Sequence, residues 1–306
     1  MPSLQVIRRR IRSVQNTQKI TRAMQMVAGV KLRRSQTQLA SFRPYAQRLK
    51  RMTERFLEAH PGLKHPLIES DIHRSTTHPE FIEGERPRPS TGSGRTATVP
   101  VGLIIVSSDT GLCGTYNERV LGLSKGFLLE HPSAVVVAIG KKAGRFLARR
   151  GIRREKEILD WGGRYHPDRA SPVLDGIEEI YLKGSVSAWW IAYTQFICAL
   201  SWKPTLERFL PMERPPSLDL PERMLTEPDE ARVLQEILRR FVRASFTRIL
   251  LEAFTAEHSA RMIAMKNATD NAAEMIESLT LVRNKVRQAA ITKELIEVVS
   301  GAEALK

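Results

Sequence analysis

The sequence predicts an α/β protein: two long terminal helices that pair as an antiparallel coiled coil, with a globular α/β domain between them. Three observations predict it. From Asp229 to Ser300 there is no Gly and no Pro, and a breaker-free polar-apolar stretch of that length reads as one very long helix. Between Pro2 and Pro44 there is no Pro and one Gly, Gly29, so the start of the chain repeats the theme. Between these ends lie short β-rich apolar runs joined by segments of helical spacing. A single helix over the C-terminal stretch would span roughly 100 Å. That exceeds the width of a domain of this size, so the helix must meet another long helix or another protein.

In the N-terminal segment Leu4, Ile7, Ile11 and Val14 step 3-4-3, a narrow apolar seam. The polar run Gln15 to Lys19 interrupts it, and the apolar series resumes in a new phase at Ile20, Met24 and Val27. In the C-terminal segment Ala272, Met275, Leu279, Val282, Val286 and Ala289 continue the 3-4 step, with Lys293 and Ile296 next in the series. Two such seams can pair antiparallel. The plainer alternative is two unrelated amphipathic helices folded onto one core.

The middle reads as a Rossmann-like α/β domain. Val101 to Val106 and Ala134 to Ile139 are apolar runs of the kind expected in buried parallel strands. Residues 116–130 between them have helical spacing, which makes a βαβ unit. Lys141 to Arg150 reads as a further helix, and Val186 to Phe196 is a third apolar segment. Residues 204–228, rich in Pro, read as a strand or two and an irregular return. Residues 60–99, with many Pro, Gly, Ser, Thr and Arg, read as a mobile surface insertion. The division is therefore 1–59 for the N-terminal helix, 60–99 for the insertion, 100–225 for the α/β domain and 226–306 for the C-terminal helix.

At 306 residues and 42% apolar, the chain can bury one medium core plus extensions. No apolar run is long enough to cross a membrane. The Arg-rich start could suggest a transit peptide, but its seam runs on into residues 20–34 and reads as mature structure. Cys113 and Cys198 lie far apart, which favours a reducing compartment and no disulfide framework. The net charge is +15. Residues 1–57 hold fourteen Lys and Arg against one acid, Glu54, so the excess sits on the N-terminal helix. Such a helix fits nucleic acid, an anionic membrane face or an acidic protein surface. Nucleic acid is the weaker fit, because Phe42, Tyr45 and Phe56 are the sole aromatics among these charges and no zinc or helix-turn-helix spacing occurs.

The α/β domain shows little chemistry. Gly111-Leu112-Cys113-Gly114 follows a strand and precedes a helix, where phosphate can bind. The pattern equally suits a tight turn, and Gly140-Lys141-Lys142 lacks the remainder of a phosphate-binding loop. None of the seven histidines stands in a catalytic motif, and His60, His65, His73 and His78 fit no standard zinc spacing. The domain reads as a binding platform with no catalytic residue, cofactor or metal assigned.

Several motifs together carry a resemblance. They are SVQNTQKITRAMQMVAGVKLRRSQ within residues 7–36, RPYA at 43–46, SSDTGLCGTYN at 107–117, IGKKAGRFLARRG at 139–151, QFICALSWKPTLERFLP at 195–211, and nearly all of 257–305. The chain resembles the family of F-type ATP synthase gamma subunits from end to end. The resemblance implies a central rotor shaft of two antiparallel helices that couples ion flow to ATP synthesis or hydrolysis, without a nucleotide site of its own. It implies alpha and beta subunits around the shaft, and an epsilon subunit and a ring of c subunits at its foot. It implies a peripheral position on the cytoplasmic face of a bacterial inner membrane. It also implies coupling contacts with beta at Lys19, Arg22, Met24, Arg287, Gln288, Thr292 and Glu294. Thr110 and Arg283 stand where the family pattern has Arg and Tyr. The reading from another class is a basic coiled-coil α/β protein that binds nucleic acid, with steeply salt-dependent affinity.

Overall fold

The computed structural model describes residues 3–60, 62–68, 99–213, 226–227 and 229–303, with side chains placed as far as residue 300. Two helices dominate: α1 over Leu4–Ala59 and the last helix over Glu230–Glu303. Between them the chain forms β1 (Gly102–Val106), α2 (Tyr116–Glu130), β2 (Val135–Ile139), α3 (Lys141–Ala148), β3 (Lys156–Ile158), α4 (Pro167–Leu182), β4 (Trp189–Cys198) and β5 (Ser201–Leu210), so the last helix is α5.

The residues group into two compact units. One comprises Met1–Leu32, Leu112–Gly114 and His258–Lys306; the other comprises Arg33–Gly111 and Thr115–Glu257.

The larger unit holds one five-stranded sheet in the order β3-β2-β1-β4-β5. β1 pairs parallel with β2 and β4, and β4 pairs antiparallel with β5. Every residue of β1 is buried, as a strand covered on both faces requires. Its side chains alternate between two apolar clusters. Leu103 and Ile105 pack with Val120 and Phe127 of α2 and Leu147 of α3. Ile104 and Val106 face Leu174 and Ile177 of α4, Leu250 and Phe254 of α5, and Phe56 of α1. Gly102 is dictated by packing, since a Cβ there would lie 2.3 Å from the Trp189 ring.

The structure departs from the sequence reading at several places. Residues 62–68, assigned above to the surface insertion, are packed. Leu67 and Ile68 are buried, Tyr181 donates to the Pro66 carbonyl at 3.0 Å, and the Met212 N–H donates to the Leu67 carbonyl at 2.8 Å. The rest of the expected insertion, residues 69–98, lies outside the described residues. β5 begins at Ser201 and runs through Pro204, which an edge strand tolerates. Helix α4, with Pro167 in its first turn and Pro172 inside, had no sequence forecast.

Candidate functional site

In the smaller unit α1 and α5 face each other. Thr21 and Thr269 share a hydrogen bond between their Oγ1 atoms at 2.8 Å. A Cβ at Gly29 would sit 3.7 Å from Met262 Sδ. Antiparallel pairing in this register sets Ile11 opposite Leu279 and Ile7 opposite Arg283. Burial follows the same register. On α1 the buried or half-buried positions include Ile7, Ile11, Val14, Gln18, Thr21, Gln25, Ala28 and Leu32. On α5 they include Met265, Thr269, Ala272, Ile276, Leu279, Arg283 and Val286. Both step 4-3 without a break, the repeat of a coiled-coil seam.

This corrects the sequence reading twice. The α1 seam does not stop at residue 15 and restart in a new phase. It passes straight through Gln18, Thr21 and Gln25, and the apolar series Ile20, Met24, Val27 lies off it. Ile20 is 60% exposed and Val27 is 57% exposed, with Met26 and Val30 exposed beside them. On α5, Ala272, Leu279 and Val286 do lie on the seam. Met275 and Val282, however, are exposed, and their neighbours Ile276 and Arg283 take the inner positions.

The outer face of α1 between residues 19 and 31 is therefore apolar and basic together. Lys19, Arg22 and Lys31 are exposed and Met24 is half-buried at the edge of the seam. Among the described residues none of these three cations has an ion-pair partner. On α5, Arg287, Gln288, Thr292 and Glu294 are all exposed, and Thr292 Oγ1 donates to the Gln288 carbonyl at 2.9 Å. Lys19, Arg22 and Met24 lie within two turns of α1, with Arg22 and Met24, two residues apart, on different faces of the helix, and the four α5 residues lie within the stretch 287–294. The structure does not bring the two groups together, since about 24 Å of α5 separates Arg287 from the stretch opposite Lys19. Sequence reasoning missed Ile20 and Val27 as surface residues. Their signal was present, in the apolar phase that failed to match the seam.

The start of α3, after Gly140, is occupied by the protein's own carboxylate. Asp109 Oδ1 accepts the N–H groups of Lys141 and Asp160, each at 3.2 Å, and Oδ2 accepts the Gly162 N–H at 2.9 Å. Where a phosphate could meet the start of α3, Asp109 already does. Ser108 and Asn117 bracket the turn that leads into α2, the Ser108 N–H donating to Asn117 Oδ1 at 3.1 Å. Leu112 and Gly114 take positive φ, 62° and 55°, and Gly114 lies against Ala264. Cys113 is buried, while Cys198 is exposed. His60 pairs with Glu230 at 3.3 Å and stacks on Phe56. His65 accepts the Leu67 N–H at Nδ1, and burial lowers its pKa. His73 and His78 lie outside the described residues. Among the described residues no group of three or more His, Cys, Asp or Glu could hold a metal.

A heptad seam with a second apolar face turned outward, and an α/β domain inserted between the two helices, define a coiled-coil protein built to be covered by partners. A family model described as ATP synthase matches residues 3–305, and the chain belongs to that family. It is 37% identical to the ATP synthase gamma chain of Methylibium petroleiphilum over 98% of each chain. It is also 37% identical to that of Moorella thermoacetica over the full length of both. Its fold matches chains of solved mitochondrial ATP synthases. One is from Euglena gracilis, titled OSCP/F1/c-ring, at TM-score 0.66 and 15% identity over 99% of this chain and 94% of that one. Another is from Tetrahymena thermophila, titled central stalk/c-ring, at TM-score 0.55 and 19% identity over 81% of this chain and 99% of that one. The chain has the role of the gamma family, the central rotor shaft of ATP synthase.

Proposed function

We propose that the shaft couples rotation to the nucleotide sites through two contact patches on beta subunits. One is formed by Lys19, Arg22 and Met24 together with Ile20 and Val27; the other is formed by Arg287, Gln288, Thr292 and Glu294. The chain itself carries no catalytic site. Its partners are the alpha and beta subunits around the helix pair and the epsilon subunit and c ring at the α/β body. No described helix is long and apolar enough to cross a membrane, so the ring supplies the attachment, at the cytoplasmic face of the bacterial inner membrane. The observation that carries this reading is the outer face of α1: apolar side chains at coiled-coil positions where water is the ordinary neighbour, ringed by unpaired cations. Exposed apolar clusters rimmed by charge mark protein interfaces. The Asp109 clasp fits the absence of a nucleotide site at the start of α3, because the Lys141 N–H there is taken.

The test is Ile20→Ser combined with Val27→Ser. Both residues are exposed, so the unfolding midpoint of the isolated chain should stay put. Co-purification with alpha and beta subunits should fall. Undiminished co-purification would remove the outer face from the interface. Tight, salt-sensitive DNA binding with no alpha or beta subunit recovered would instead support the nucleic-acid reading.

A further inference from the structure

We propose that Arg248 is a positioning residue for torque transfer, the joint through which the sheet of the α/β body holds the two shaft helices at a fixed angle. The inference rests on the rotor role.

Arg248 lies on α5. Its Nη2 meets Glu207 Oε1 on β5 at 3.1 Å, and its Nη1 reaches both the Tyr193 hydroxyl on β4 and Glu252 Oε2 on α5 at 3.4 Å. Tyr193 donates to the second Glu207 oxygen at 3.3 Å. Glu252 has a side chain only 4% exposed, and its other oxygen lies 3.7 Å from Arg43 Nη2 on α1. Arg43 Nη2 in turn donates to the Phe196 carbonyl on β4 at 2.9 Å. The result is two linked rings. One joins α5 to β4 and β5, and the other joins α5 through α1 back to β4. Burial pushes the Glu252 carboxyl up in pKa, and the Arg248 and Arg43 charges pull against it. Glu252 thus depends on both arginines for its charge.

The helix pair is also held to the sheet by the apolar cluster around Leu250 and Phe254. That attraction is non-directional. It opposes separation but resists a small roll or slide of a helix weakly. A guanidinium fork engaged with groups on three elements has fixed distances and angles, so it resists the roll. Networks of this kind are poor sources of net stability, because desolvation offsets the attraction. Holding an angle is the role that fits. Other polar links from α5 to the body exist. Tyr116 bonds the Ala253 carbonyl, Tyr165 bonds Thr247, and Arg243 pairs with Asp175. Each of these ties α5 to a single segment, and a further link toward α1 outside the rings, His60 to Glu230, sits at the very start of α5 away from the sheet contacts of Arg248. Arg248 also lines an open cleft of about 830 Å³, so shortening it leaves no sealed void.

The experiment uses the whole synthase carrying this chain, reconstituted in lipid vesicles. ATP hydrolysis and ion pumping are both measured per assembled complex. Arg248→Met should largely keep hydrolysis and at least halve the ions moved per ATP, because a helix free to roll against the sheet slips and turns without carrying the body with it. Arg248→Lys should recover part of the loss. Glu207→Ala removes the sheet end of the fork at a partly exposed site, so it should assemble even if Arg248→Met does not. It should shift coupling in the same direction. Arg243→Ala, which breaks an exposed pair, should leave the ratio unchanged. Wild-type pumping per ATP in Glu207→Ala and in any assembled Arg248→Met complex overturns the inference. So does a loss of pumping and hydrolysis in equal proportion. A wild-type chain that enters no complex with alpha and beta subunits would refute the rotor role itself.

Discussion

Replacing Thr21 by Val tests the seam at its polar centre. Thr21 is 9% exposed, and its hydroxyl lies 2.8 Å from that of Thr269. Each hydroxyl has a carbonyl of its own helix in reach as well: Gln18 O at 3.0 Å for Thr21 and Met265 O at 2.8 Å for Thr269. Two protons therefore serve three hydrogen-bond geometries. Whichever threonine donates across the pair gives up its own carbonyl. After Thr21→Val, Thr269 keeps a donor bond to Met265 O, so no buried hydroxyl is stranded. The loss is the net of one neutral hydrogen bond, about 0.5–1.5 kcal/mol. The added methyl returns up to about 0.8 kcal/mol. A cost of under about 1 kcal/mol is expected, and Thr269→Val should behave alike. The double replacement exchanges both partners for apolar groups of the same shape, and it should be neutral or stabilising. Urea unfolding of the four chains closes the cycle, which should show a coupling of about 1 kcal/mol between the sites. A single replacement costing over about 3 kcal/mol would mean that a donor is stranded after all. Strict additivity would mean that the two hydroxyls do not sense each other.

Two further outcomes follow from the α/β body. In Asp109→Asn the amide NH₂ must face at least one of the three backbone N–H groups that the carboxylate now accepts, so unfolding should become easier by about 2 kcal/mol; an unchanged midpoint would dismiss the clasp. His65 is held neutral, with its pKa lowered from 6.5 by burial. Its contribution is therefore complete above that value and is lost as the pH falls through the lower folded value. His65→Asn keeps an acceptor for the Leu67 N–H without a titration. Between about pH 7.5 and about pH 5, its unfolding midpoint should fall less than that of the wild type, and parallel curves would refute the assignment.

What the sequence made legible depended on how local the signal was. β1 and β2 were readable because a strand buried on both faces has to be an apolar run. α4 was not, because Pro167, Pro172 and Gly176 break its pattern while its burial comes from Val173, Leu174 and Ile177 in the core. Residues 62–68 looked like loop by composition, and only Leu67 and Ile68 meeting the core make them part of it. The helix pair was readable as a pair, but its seam was half misread. Periodicity reports an apolar stripe without saying which way it faces. Met275 and Ile276 are both apolar, and only the partner helix selects the second. The Arg43-Arg248-Glu252-Glu207 rings left no trace at all, since charged residues on helices and an edge strand read as solvated until the fold brings them together.

The misread α1 stripe has an energetic meaning. Between residues 18 and 25 the inner positions are Gln18, Thr21 and Gln25, while the outer ones include Ile20 and Ala23. The usual coiled-coil order is inverted there. Ile20 is 60% exposed and Val27 57%, so covering them would stabilise by about 1–2 kcal/mol each, together more than the Thr21-Thr269 bond contributes within the pair. On the proposed reading, a sleeve that covers this face would therefore add more than that one bond does. The kind of contact also suits a turning part. An ion pair favours the one angle at which its groups meet. Apolar contact is non-directional, so a sleeve of similar apolar surfaces could cover Ile20 and Val27 at successive angles with little preference among them. In that reading the cations at 19, 22 and 31 would draw an acidic surface close from a distance, and the apolar face would let it pass.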